Sequence, residues 1–292
     1  MEAGRDRLWQ SWNEYKEKMG IESNGGFLTA DQLRREIGAR NLDRGREFGH
    51  EVSYGPSASV VFHEADGVHG NFVPASWRRI QADPAWKQRM AKVYTASRYV
   101  PRAQDRRRGE LDCANSSDAL LMNIFCYPGV LRRRGVCGLL SIEGGLRPEF
   151  GFRPGTPLTG GKTDRTEIDM RLGDLLVEAK LTEGDFQRGP VRLLARYRDV
   201  DEVFDTERLR IANGSVESWQ LVRGVLAAHA LAGSFFVLCD SRRRDLMERW
   251  FEVMSAVRQS SLRTRLGLRT WQEIGAALPR SLRRFLGEKY GI

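Results

Sequence analysis

The stretch "TEIDMRLGDLLVEAKL", Thr166 to Leu181, constrains the fold more than any other part of the chain. Two runs rich in strand-forming residues flank Gly173-Asp174, a pair suited to a two-residue hairpin turn. That turn sets Leu172 against Leu175, Arg171 against Leu176, Met170 against Val177 and Asp169 against Glu178. Strand side chains alternate faces, so Glu167, Asp169, Glu178 and Lys180 share one face, while Ile168, Met170, Val177 and Ala179 share the other. Like charges directly opposite one another cost stability. A divalent cation bound by the two carboxylates would remove that cost. The plain alternative is a charged, solvent-facing side of an antiparallel sheet.

Hard carboxylate oxygens without His or Cys partners suit magnesium, with manganese able to substitute, and such an ion takes its remaining ligands from water and substrate phosphate. A lysine two residues beyond Glu178 points to the same face, where it can orient or help deprotonate an attacking water and counter developing charge. These are the parts needed to hydrolyse a phosphodiester.

Asp169, followed eight residues later by "EAK" at Glu178 to Lys180, resembles the active-site signature of the PD-(D/E)XK nuclease superfamily, the restriction-endonuclease-like fold. The likeness spans about residues 111 to 257, with "NSSDALLMNIF" before the hairpin and helices plus "SFFVLCD" after it. It implies a mixed central sheet flanked by helices, Asp169 and Glu178 as metal ligands, and Lys180 as the catalytic lysine. The chain departs from the pattern with Ile168 in place of proline before Asp169. A further carboxylate from a preceding helix is not evident. Asp118, Glu143 and Glu149 are candidates, Glu149 first because "RPEFGF" reads as a strand beside the hairpin; Glu167 and Gln187 are further candidates for the site.

The resemblance implies a magnesium-dependent endonuclease acting on DNA in a prokaryotic restriction or defence setting. Two other readings stand beside it. One is an inactive DNA-binding or scaffold protein that keeps the fold; the other is a nuclease acting on RNA or on DNA ends and junctions, because metal and lysine act on a phosphodiester without reading bases. Cuts on two strands imply a homodimer.

Charge agrees with an acidic partner. The 292 residues carry a net charge of +9, and residues 241 to 292 hold 12 Lys and Arg against 5 Asp and Glu. Nucleic acid is favoured over an anionic membrane, because no basic amphipathic helix opens the chain. The 40 arginines against 7 lysines suit planar contacts to phosphate. Arg242, Arg243, Arg244, Arg283 and Arg284 are the candidate nucleic-acid contacts, while Arg106 to Arg108 and Arg132 to Arg134 read as solvated clusters.

The fold expected is α/β, with a largely helical and loop extension over 1–110, a nuclease core over 111–257 and basic helices over 258–292. Helices are expected over 5–19, 29–38, from Pro84 onward, over Val191–Phe204 and over Ser218–Leu231; "SFFVLCD" should be a strand covered on both faces. Four cysteines without CxxC spacing, and no apolar signal segment in the opening residues, point to a reducing, cytoplasmic setting. "GGKT" at Gly160 to Thr163 is no phosphate loop, since Thr156 stands where that motif needs glycine.

Overall fold

The computed structural model describes residues 27–53, 59–92 and 109–292. The expected helix over 5–19, Trp9, Trp12 and the Arg106 to Arg108 cluster lie outside them. Two compact units divide the chain: one takes residues up to Val130 together with Gly275–Ile292, the other Leu131–Ile274.

In the first unit, Thr29 caps the helix Ala30–Gly45. Its hydroxyl accepts from the Gln32 N–H, and the Gln32 side chain accepts from the Thr29 N–H. This reciprocal box satisfies two donors that a helix start leaves open. Strands β1 (His50–Val52) and β2 (Val60–Phe62) pair antiparallel, as do β3 (Glu64–Ala65) and β4 (Val68–His69). Pro84 opens the helix Pro84–Arg89, with the Asp83 carboxylate accepting from the Ala85 and Trp86 N–H groups. Ser116 caps Ser117–Phe125, a helix buried at all nine positions. The last helix, Arg280–Tyr290, packs on Ala30–Gly45 and buries Leu282, Phe285, Leu286, Lys289 and Tyr290.

The second unit is built on a five-stranded mixed sheet. Its chain runs through β5 (Glu149–Phe152), β6 (Thr156–Pro157), β7 (Thr163–Asp164), β8 (Ile168–Leu172), β9 (Leu175–Ala179), β10 (Arg188–Pro190), β11 (Ile211–Ala212), β12 (Ser215–Glu217), β13 (Ser234–Cys239) and β14 (Leu266–Thr270). The sheet order is β14-β13-β9-β8-β5. β5, β8 and β9 pair antiparallel, whereas β9, β13 and β14 pair parallel. Parallel neighbours need crossovers, and the helices Trp219–Ala230 and Arg244–Ala256 supply them. The expected α/β architecture, a central mixed sheet flanked by helices, is therefore present.

Position in the sheet explains composition. β9 lies in the middle, and all five of its residues are buried. β13, also interior, is buried from Phe235 to Cys239, as a continuous apolar run requires. β8 alternates buried and half-buried residues. Gly224 lets the crossover helix sit close, because a Cβ there would meet the Phe235 ring at 2.2 Å.

Two expectations need correction. The single helix read over Val191–Phe204 is two one-turn helices, Val191–Leu194 and Val200–Val203. Between them Tyr197 forms a bridge to Leu158 and donates its hydroxyl to Asp164, contacts that draw the chain out of the helix. The stretch read as C-terminal helices also holds β14, an edge strand of the central sheet. A small sheet of order β10-β12-β11 has no counterpart in the sequence reading. After "GGK" a strand follows and no helix, which is the wrong geometry for a phosphate loop.

Candidate active site

The hairpin closes as its sequence dictates. Gly173 takes φ 57°, a setting open to glycine at little cost, and the pairs are Leu172 with Leu175, Arg171 with Leu176 and Met170 with Val177. The paired register ends there, one position short of Asp169 and Glu178. The Asp169 carboxylate accepts from the Ala179 N–H at 2.8 Å, so it is tied to the strand that carries Glu178.

Glu178 and Lys180 are buried, with 4% and 5% of their surfaces exposed. Lys180 Nζ donates to Glu178 Oε1 at 2.6 Å and lies 5.7 Å from the centroid of the Phe186 ring. Burial by itself pushes the lysine down in pKa, but the charges of Glu178, Glu183 and Asp169 outweigh it and hold the amine above the usual lysine range. Lys180 is thus an ammonium facing carboxylates.

The backbone around Lys180 is held from several sides. Its N–H donates to the Leu238 carbonyl, and its own carbonyl accepts from Trp271 Nε1, both at 2.8 Å. Arg243, fully enclosed, donates to the Leu181 and Gly184 carbonyls and grips the Asp245 carboxylate with two nitrogens at 2.8 Å. Glu183 accepts from the Leu181 N–H at 2.6 Å. The sequence reading passed over Glu183, Phe186 and Trp271. A third acid five residues past Glu178 was the available signal for the first; nothing local marks the other two.

Other candidates lie elsewhere. Glu149 is on β5 as read, but it accepts from Arg171 Nη2 at 2.7 Å, across from Arg171 and two residues along from Asp169. Glu167 lies just before β8 and accepts from Arg153. Gln187 is exposed at a left-handed position, φ 61°. Asp118 belongs to the first unit, where Arg89 and Lys92 both donate to it. Glu143 is exposed.

Among the arginines, Arg243 is corrected from surface contact to interior brace. Arg242 forms a two-pronged pair with Asp240. Arg244 is exposed beside Glu248, while Arg283 and Arg284 are exposed on the last helix of the first unit.

Asp169 and Glu178 suit a hard divalent cation in their donor chemistry. Among the described residues no group of three or more His, Cys, Asp or Glu gathers as a ready metal cage. The magnesium site expected from the sequence needs only one or two protein carboxylates, with water and phosphate completing the shell. Among the described residues no helix is long and apolar enough to cross a membrane.

Comparison with curated proteins and with solved structures finds no match. A family model does match, over residues 7–291, and its description is Restriction Endonuclease associating with ARP. With nearly the whole chain matched, this protein belongs to that restriction endonuclease family.

Proposed function

We propose that the chain is a magnesium-dependent endonuclease that hydrolyses DNA phosphodiester bonds in prokaryotic restriction or defence. The observation that carries this reading is the convergence of Asp169, Glu178 and Lys180 at the end of the central β8–β9 hairpin, in a chain of a restriction endonuclease family. Asp169 and Glu178 would hold the ion, which supplies polarisation of the scissile phosphate when bound. Lys180, kept protonated by the carboxylates around it, orients the water nucleophile and offsets the charge that builds on the phosphate. Its fixed backbone keeps that charge in place without reorganisation.

The family description extends to an association with ARP, and we assign an ARP partner to this chain on that ground. The DNA-binding role of Arg244, Arg283 and Arg284 belongs to the same proposal, as do target recognition or support by residues 1–110 and a homodimer that cuts both strands.

A second reading has one observation in its favour. The Glu178–Lys180 pair is closed at 2.6 Å and buried, as it would be in a nuclease fold kept for binding or scaffolding. Supercoiled plasmid and linear DNA, incubated with the protein in magnesium, in manganese and in chelator, separate the two. Metal-dependent nicking that an Asp169→Ala protein lacks is expected. Retention of DNA without cleavage under every condition would reject the catalytic reading in favour of the scaffold.

A further inference from the structure

Glu217, the last residue of β12, is a buried carboxylate approached by three guanidiniums. Arg188 Nη2 stands 3.2 Å from one of its oxygens, and Arg210 Nε and Arg249 Nη1 stand 2.8 and 3.0 Å from the other. Each arrives from a different element. Arg188 is the direct cross-strand neighbour of Glu217 on β10. Arg210 precedes β11, and its carbonyl accepts from the Glu217 N–H at 2.9 Å. Arg249 comes from the helix Arg244–Ala256. One more carboxylate is present, Glu252, which accepts from Arg210 Nη1 at 3.3 Å and from Arg249 Nη1 at 3.0 Å.

Three positive charges thus meet two negative ones. The oxygen of Glu217 shared by Arg210 and Arg249 accepts no aligned hydrogen bond from either. Charge brings these guanidiniums close, yet neither points an N–H at that atom. A guanidinium has five N–H donors, and Arg188 and Arg210 leave 58% and 55% of their side chains exposed. A buried carboxylate needs a charged partner, which one guanidinium supplies; Arg188 and Arg210, each more than half exposed, add pairs of the kind worth about 0–1 kcal/mol. The arrangement gathers positive charge and leaves donors facing solvent.

We propose that Arg188, Arg210 and Arg249 form a cradle for the phosphodiester backbone of DNA. This rests on the nuclease reading and names a surface that reading lacks. Phosphate presents several acceptor oxygens to the planar fork of a guanidinium, which makes it the anion this geometry fits. The cradle is on the same unit as Lys180. Arg188 follows Lys180 by eight residues, a span of at most about 28 Å, whereas one turn of duplex covers about 34 Å. One turn of duplex is therefore long enough to span the distance between them.

The test is the affinity of the full-length protein for a short labelled duplex, measured in chelator over a range of salt concentrations. Each phosphate contact contributes about 0.9 to the slope of log affinity against log salt. The Arg188→Gln/Arg210→Gln protein should lose about 2 from that slope, with equal weakening for duplexes of different sequence. The Arg188→Lys/Arg210→Lys protein should keep the slope. An unchanged slope in the glutamine protein overturns the cradle while DNA binding stands, and an acidic protein segment then becomes the better occupant. Equal losses in both variants trace the effect to structure and also overturn it. If the unaltered protein binds no DNA, the nuclease reading falls together with the cradle.

Discussion

Two buried lysines show how the neighbours of an amine decide its charge. Lys180 faces Glu178, Glu183 and Asp169 and is held above the usual lysine range. Among the described residues no carboxylate offsets the burial of Lys289. Burial pushes it well below that range, and the charge of Arg44 pushes the same way. Its amine nitrogen donates to the Asn41 side-chain oxygen at 2.6 Å, with the rings of Tyr290 and Phe62 at 4.8 and 5.0 Å. Because the folded value is depressed, the unfolded chain binds the proton more tightly between that value and about 10.4. Stability should therefore rise with pH across this window and be lowest below it. Denaturant unfolding of a Lys289→Met protein, compared with the unaltered chain at several pH values, should show that alkaline rise flattened. If the rise persists, another group carries it.

At the scale of elements, the site depends on a strand end held by parts far away in sequence. Arg243 holds the two carbonyls after Lys180 from the start of the helix Arg244–Ala256. An Arg243→Leu substitution leaves the buried Leu181 carbonyl without this partner, and should cost about 2 kcal/mol in denaturant unfolding. Loss of cleavage should accompany it, while a surface role in DNA contact would alter binding and leave stability unchanged. The hairpin itself was legible in the sequence, since a Gly-Asp turn and a period of two settle register without help from the rest of the chain. The covered strand β13 and the helix expected over 29–38 were legible for the same local reasons. What escaped was set by distant contacts. Tyr197 leaves its helix for Leu158 and Asp164, β14 is a strand because β13 offers it an edge, and Arg243 is interior because Asp245 and two carbonyls enclose its charge. Glu149 had the right strand and the wrong neighbour, since Arg171 holds it.

At the scale of the molecule, the first unit is discontinuous: residues up to Val130 share it with Gly275–Ile292. Its last helix buries Leu282, Phe285, Leu286 and Tyr290. Fully burying each such side chain is worth about 1.5–3 kcal/mol, and a whole domain has only about 5–15 kcal/mol of net stability. A chain ended after Ile274 should therefore lose the first unit and keep the central sheet. Amide exchange should then be fast at Leu33 and Ile37 and slow along β13; protection retained at both would show that the last helix is dispensable. Order of synthesis adds a consequence. At about 5–20 residues per second, a ribosome needs roughly seven to thirty seconds to pass from the end of the first unit's opening segment to its closing helix. The central sheet is synthesised in that interval, so the first unit, though its longer segment precedes the sheet, completes its core only after it.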